Sequence, residues 1–83
     1  MKIVSWNIRG CNHPRKIKTL IRKVKQGKPN VLFLQETKCS SEVMEKLGQK
    51  IWKGCRVIAV DAARMAGGLA VLWKPNTIDL MEW

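Results

Sequence analysis

Two strand-like runs flank the most strongly helical stretch of this chain, and that order restricts the fold more than any other feature. Residues 2–8 (Lys-Ile-Val-Ser-Trp-Asn-Ile) are rich in β-branched and aromatic side chains, which suit a pleated strand. After the turn Arg9-Gly10-Cys11-Asn12, the residues Ile17, Leu20, Ile21 and Val24 fall at i, i+3, i+4 and i+7, one apolar stripe of a helix over residues 14–26. Asn12 stands where an N-cap is expected, and Pro14 near the first helical position, where its missing N–H does little harm. Gly27 supplies a C-terminal stop, and Pro29 blocks continuation. Val31-Leu32-Phe33-Leu34, within residues 30–35, is a continuous apolar run typical of a strand covered on both faces. Strand, helix, buried strand is a βαβ-like order, although periodicity leaves the relative direction of the strands open.

The second half adds a helix and more strands. Ser40 or Ser41 caps a helix with Glu42 in its first turn, and Val43, Met44, Leu47 and Ile51 give it an apolar face. Gly48 is expected to weaken that helix by about 1 kcal/mol. Residues 56–60 and 68–73 read as two strands joined by a loop at 61–67, Lys74-Pro75-Asn76 as a turn, and residues 77–83 as the start of another strand. The result is β-α-β-α-β-β-β, an α/β layered architecture with an incomplete sheet. Ending on Leu80-Met81-Glu82-Trp83 leaves an apolar strand edge for something else to cover.

At 83 residues the chain is one small domain at most, and its hydrophobic fraction of 46% excludes a disordered polymer. The longest apolar runs are strand-sized, far short of the roughly 20 residues of a membrane span, and no signal-peptide core fits the N-terminus. A nuclear or cytoplasmic protein is expected, not a secreted one. Cys11, Cys39 and Cys55 are too far apart for a C-x-x-C motif, and their odd number argues for reduced thiols. The net charge of +10 is unevenly placed, with no acidic residue before Glu36 and nine lysines and arginines from Lys2 to Lys28. Arg15, Lys18, Arg22 and Lys25 line the polar face of the first helix. Such asymmetry suits a polyanion, nucleic acid first and an anionic membrane surface second, or else a solvated face with no partner.

Asn7 and Glu36 each stand at the C-terminal end of an expected buried strand, where open α/β sheets bind ligands. A carboxylate and an amide oxygen there are hard donors suited to Mg²⁺, which keeps water and substrate phosphate in its other positions. Lys38 adds positive charge near the same phosphate. In the plainer alternative, Asn7 caps a turn and Glu36 pairs with Arg9 or Lys38.

Ser5-Trp6-Asn7-Ile8-Arg9-Gly10 and Leu34-Gln35-Glu36-Thr37-Lys38 resemble the first two motifs of the endonuclease/exonuclease/phosphatase superfamily. The run from Leu34 to Ser40 is similar to the apurinic/apyrimidinic endonuclease branch. Ala66-Gly67-Gly68-Leu69-Ala70-Val71-Leu72-Trp73 resembles the Gly-Gly-Leu strand of the endonuclease domain in non-LTR, LINE-type retroelements. The three blocks agree in order and spacing, and the resemblance spans essentially the whole chain. It implies the N-terminal part of a four-layer α/β sandwich, truncated at the C-terminus, from an enzyme that nicks DNA with Mg²⁺ or Mn²⁺. It implies a metal ligand at Glu36, an active-site amide at Asn7, electrostatic help from Lys38, and DNA contacts from Arg9, Arg15, Lys18 and Arg22. Arg9 stands where the abasic-site branch often has Asp, a departure that fits the retroelement type better.

The resemblance also implies groups further along, a catalytic Tyr, an Asp-x-Asn pair and a terminal Ser-Asp-His block. The chain has no tyrosine, and His13 is expected to cap or lie at the surface rather than match the catalytic histidine. The expectation is therefore a fragment inactive alone. The alternatives are a non-catalytic basic nucleic-acid-binding remnant and an unstable pseudogene product.

Overall fold

The computed structural model describes residues 2–10, 13–61, 63 and 67–75. Six elements follow in order: β1 (Ile3–Asn7), α1 (Pro14–Gly27), β2 (Val31–Gln35), α2 (Ser41–Ile51), β3 (Arg56–Val60) and β4 (Leu69–Trp73). The expected strand over 77–83, the thiol of Cys11 and the expected cap Asn12 lie outside the described residues. The four strands form a mixed sheet in the order β1-β2-β4-β3. β1 and β2 are parallel, which settles the direction the periodicity left open, and α1 is their crossover. β4 runs antiparallel to both β2 and β3.

The register aligns side chains in rows across the sheet. Val4, Leu32, Leu72 and Val57 form one row, and Trp6, Leu34, Ala70 and Ala59 the next. These rows face the helices and build the core with Leu20 and Val24 of α1 and Met44 and Ile51 of α2. The opposite face carries Ile3-Val31-Trp73-Arg56, Ser5-Phe33-Val71-Ile58 and Asn7-Gln35-Leu69-Val60. The expectation that β2 is covered on both faces needs correction: Leu32 and Leu34 are sealed under the helices, while Phe33 on the other side is only half-buried. Val31 is buried on that side, with Trp73 as its register partner.

The ends of α1 and one residue of the α2 face depart from expectation for identifiable reasons. α1 is capped by His13, whose Nδ1 accepts from Arg15 N–H at 3.2 Å, so His13 takes the position expected of Asn12. Gly27 stays helical, and the left-handed turn falls on Lys28 (φ 44°), whose N–H donates to Val24 C=O at 2.9 Å. Pro29 denies the residue before it the right-handed helical region, which moves the break one position. In α2, Ser40 is the cap, its Oγ accepting from Val43 N–H at 3.2 Å. Val43 itself is exposed and leaves the apolar face to Met44, Leu47, Gly48 and Ile51. Gly48 has a packing role, since a Cβ there would stand 2.6 Å from Val57 Cγ2. No helix among the described residues is long and apolar enough to cross a membrane. Cys39 and Cys55 are both buried.

Candidate active site

Asn7, the last residue of β1, is the register partner of Gln35, the last of β2. Pairing continues past both strands, with Ile8 N–H donating to Gln35 C=O at 3.0 Å and Gly10 N–H to Glu36 C=O at 2.7 Å. The parallel ladder thus delivers Asn7 and Glu36 side by side to one carboxyl rim, the edge at which open α/β sheets hold ligands. There the backbone turns left-handed at three residues that bear side chains: Arg9 (φ 49°), Glu36 (φ 53°) and Lys38 (φ 53°). Such residues cost about 1–3 kcal/mol each and collect where a site needs a particular geometry.

The segment before β4 supplies the next wall. Lys38 N–H donates to Gly67 C=O at 2.5 Å, and Thr37 N–H to Gly68 C=O at 3.5 Å. A Cβ on Gly67 would come within 3.1 Å of Glu36 Cγ and 3.2 Å of its Cα, and Gly67 has φ +81°. Glycine at 67 is what lets β4 close on the Glu36 turn. Lys16 fixes the other side, its ammonium donating to Ile8 C=O at 3.0 Å and Arg9 C=O at 2.8 Å. A cleft of about 390 Å³ opens over this rim, lined by Arg9, Gly10, His13, Pro14, Lys16 and Lys38.

These placements sort the expected site residues. Asn7, Arg9, Glu36 and Lys38 come together, with Glu36 half-buried and the others exposed. Among the described residues Glu36 forms no ion pair with Arg9 or Lys38. Arg15 lines an adjoining pocket with Asn7. Lys18 and Arg22 are exposed on α1 and line neither cavity. The donor set at the rim is one carboxylate and one amide, and no three of the described His, Cys, Asp and Glu side chains group as a metal cage. Two hard oxygen donors beside a cationic cleft fit a Mg²⁺ ion that keeps most of its water, not an ion held by protein alone.

The sequence profile of the Endonuclease/Exonuclease/phosphatase family matches residues 4–80. The chain belongs to that family. Nothing matches among curated proteins. Among solved structures, the chain is similar to the crystal structure of the Xenopus laevis APE2 catalytic domain, with a TM-score of 0.59 and 26% identity over 89% of this chain. The chain spans 23% of the length of that structure. As a family member it carries a partial version of the fold, with the first two motifs meeting at one rim.

Sequence reasoning missed Lys16, Gly67 and Thr37. Lys16 was hidden among many cations, and its role depends on where the β1–α1 turn presents its carbonyls. Gly67 was legible as part of the Gly-Gly-Leu resemblance, but not as the residue packed against Glu36. Thr37 lies between two left-handed residues, is 1% exposed, and its hydroxyl has no hydrogen-bond partner.

Proposed function

We propose that this chain is the N-terminal portion of a divalent-metal-dependent DNA endonuclease, of the kind carried by non-LTR retroelements. The observation that carries the reading is the delivery of Asn7 and Glu36 to one rim beside the cationic cleft of Arg9, Lys16 and Lys38. Glu36 would hold a Mg²⁺ or Mn²⁺ ion, with Asn7 as the neighbouring oxygen donor. When bound, the metal polarises a phosphoryl oxygen. Arg9 and Lys38 neutralise the phosphate as the substrate enters, and Lys16 holds the Arg9 turn in place through its two carbonyl bonds. The retroelement assignment rests on Arg9 and on Gly67-Gly68-Leu69, and a nuclear or cytoplasmic site of action goes with a DNA substrate.

The chain alone is expected to bind DNA without cutting it, because hydrolysis needs a general base, and the imidazole that lines the cleft, His13, is engaged as the cap of α1. Nicking of supercoiled plasmid with Mg²⁺, beside EDTA and Glu36→Ala controls, tests this. No nicking is expected. Magnesium-dependent nicking lost in Glu36→Ala would support the metal role of Glu36 and overturn the inactivity.

A second reading, non-catalytic binding by the basic face of α1, is favoured by Arg15, Lys18 and Arg22 standing exposed on one helix. It predicts that reversing those three charges abolishes DNA binding while Glu36→Ala spares it. It also predicts affinity that falls steeply with salt, as counterion release requires.

A further inference from the structure

Beside the rim, on the helix side of β1, a second cavity of about 290 Å³ separates the end of the strand from α1. Its floor is apolar, from Trp6, Ile8 and Leu20, and its mouth carries Arg15, Thr19 and Lys23. The Lys23 ammonium lies over the Trp6 ring, 5.1 Å from its centroid. Trp6 is half-buried in the core, whereas Arg15, Thr19 and Lys23 are exposed. An aromatic plate packed against the core under exposed cations is the combination that single-stranded nucleic acid recognises, bases stacking on the ring and phosphates meeting the charges.

We propose that this pocket binds one unpaired nucleotide of a DNA strand, its base stacked on Trp6 and its phosphate held by Lys23 and Arg15. The inference rests on the nucleic-acid reading above and deepens it by naming an unpaired strand as the preferred form. Two contacts compete for the ring. An ammonium over this half-buried indole is held more weakly than a base stacked on the same ring, because the ammonium gives up strong hydration to sit there. The base therefore displaces Lys23, and the freed ammonium swings to the phosphate of the nucleotide that displaced it. Thr19 narrows the mouth without blocking it, its hydroxyl donating back to Arg15 C=O at 2.9 Å. Asn7 forms part of the wall, so a strand seated here runs on toward the Glu36 rim.

The test is fluorescence anisotropy of the whole chain with labelled oligothymidylate of about ten nucleotides, against a blunt duplex, in EDTA at low salt. Trp6→Leu is expected to weaken oligothymidylate binding by about tenfold or more and duplex binding by less than about twofold. Trp6→Phe keeps most of the affinity. Lys23→Met, at an exposed position that does not threaten folding, is expected to lower the salt slope for oligothymidylate by about one. Thymidine monophosphate should compete only weakly, and affinity equal to that of the oligomer would assign the pocket to free nucleotides and overturn the strand proposal. Equal losses on both DNAs in Trp6→Leu, or an unchanged salt slope in Lys23→Met, would also overturn it. Glu45→Gln, exposed on α2 and outside this pocket, should leave oligothymidylate binding unchanged. A chain that ignores oligothymidylate but nicks plasmid through Glu36 would remove this pocket and leave the metal reading standing.

Discussion

The two faces of the sheet are built from similar residues in different surroundings. On the helix side, Leu32, Leu34, Ala70 and Leu72 have no exposure at all. On the other side Ile3 is 59% and Ile58 56% exposed, with Phe33 and Val71 half-buried between them. The candidate site lies at the rim where the two sides meet, since Asn7 stands in the open row with Gln35, Leu69 and Val60 while the cleft beside it is lined by Pro14 and Lys16 of α1. The difference teaches that hydrophobicity on this sheet has two meanings. On the covered face it reports stability already realised, and on the open face it reports apolar surface that the described residues leave in water.

The largest expected effect tests that division directly. Leu32→Ala removes a fully buried side chain on the helix-covered face of the sheet and should cost about 2–5 kcal/mol in denaturant unfolding. Ile58→Ala, on the same sheet but half in water, should change stability by no more than about 0.5 kcal/mol. Comparable losses at the two positions would mean that the open face is covered in solution, and the comparison would collapse.

Gly48→Ala comes next. Helix propensity alone favours alanine by about 1 kcal/mol. The new Cβ would stand 2.6 Å from Val57 Cγ2, at a short branched side chain with little room to yield. Overpacking of about 1–3 kcal/mol should win, so the variant is expected to be less stable than the wild type. Combining it with Val57→Ala should recover part of the loss, a coupling that a double-mutant cycle reads. Additive losses would show that α2 does not rest on β3 as closely as described.

Thr37→Val removes the buried hydroxyl that has no partner, at nearly constant shape. The expected change is neutral to stabilising by about 1 kcal/mol, because an unpaired buried hydroxyl is a desolvation penalty without return. A thermal melt showing clear destabilisation would reveal a hydrogen bond at Thr37 in the folded chain.

Legibility followed the range of the interactions. The apolar stripe of α1, the cap at Ser40 and the positions of the strands were readable because periodicity and local side-chain bonds set them, whereas the order β1-β2-β4-β3 was not. The meeting of Asn7 with Glu36 was expected from strand ends, and the parallel ladder supplies it. The turn at Lys28 was misplaced by one residue, since Gly27 looked like the better local solution, and of the two residues expected to cap, Asn12 and His13, it is His13 that caps α1. The packing of Gly48 on Val57, of Gly67 on Glu36 and of Lys23 on Trp6 depends on distant elements touching. No single window of sequence contains both partners of such contacts.

The smallest effect concerns Cys55, on the covered side, whose thiol donates to Gly48 C=O at 3.4 Å. Burial pushes this thiol above its ordinary value of 9.0, against the opposing pull of the Lys74 ammonium and a backbone hydrogen bond. The folded chain therefore holds the proton more tightly than the unfolded chain does. That contribution to stability is complete below the unfolded value and is lost as pH rises past it through the folded value. Chemical denaturation across the alkaline range should show wild type losing more stability than Cys55→Ala over that window, with lysine titration common to both. An open-face thiol, introduced as Ile58→Cys, should add no such slope and should alkylate faster than Cys55. If the two thiols titrate and react alike, the helices do not exclude water from the covered face, and the contrast between the faces loses its physical basis.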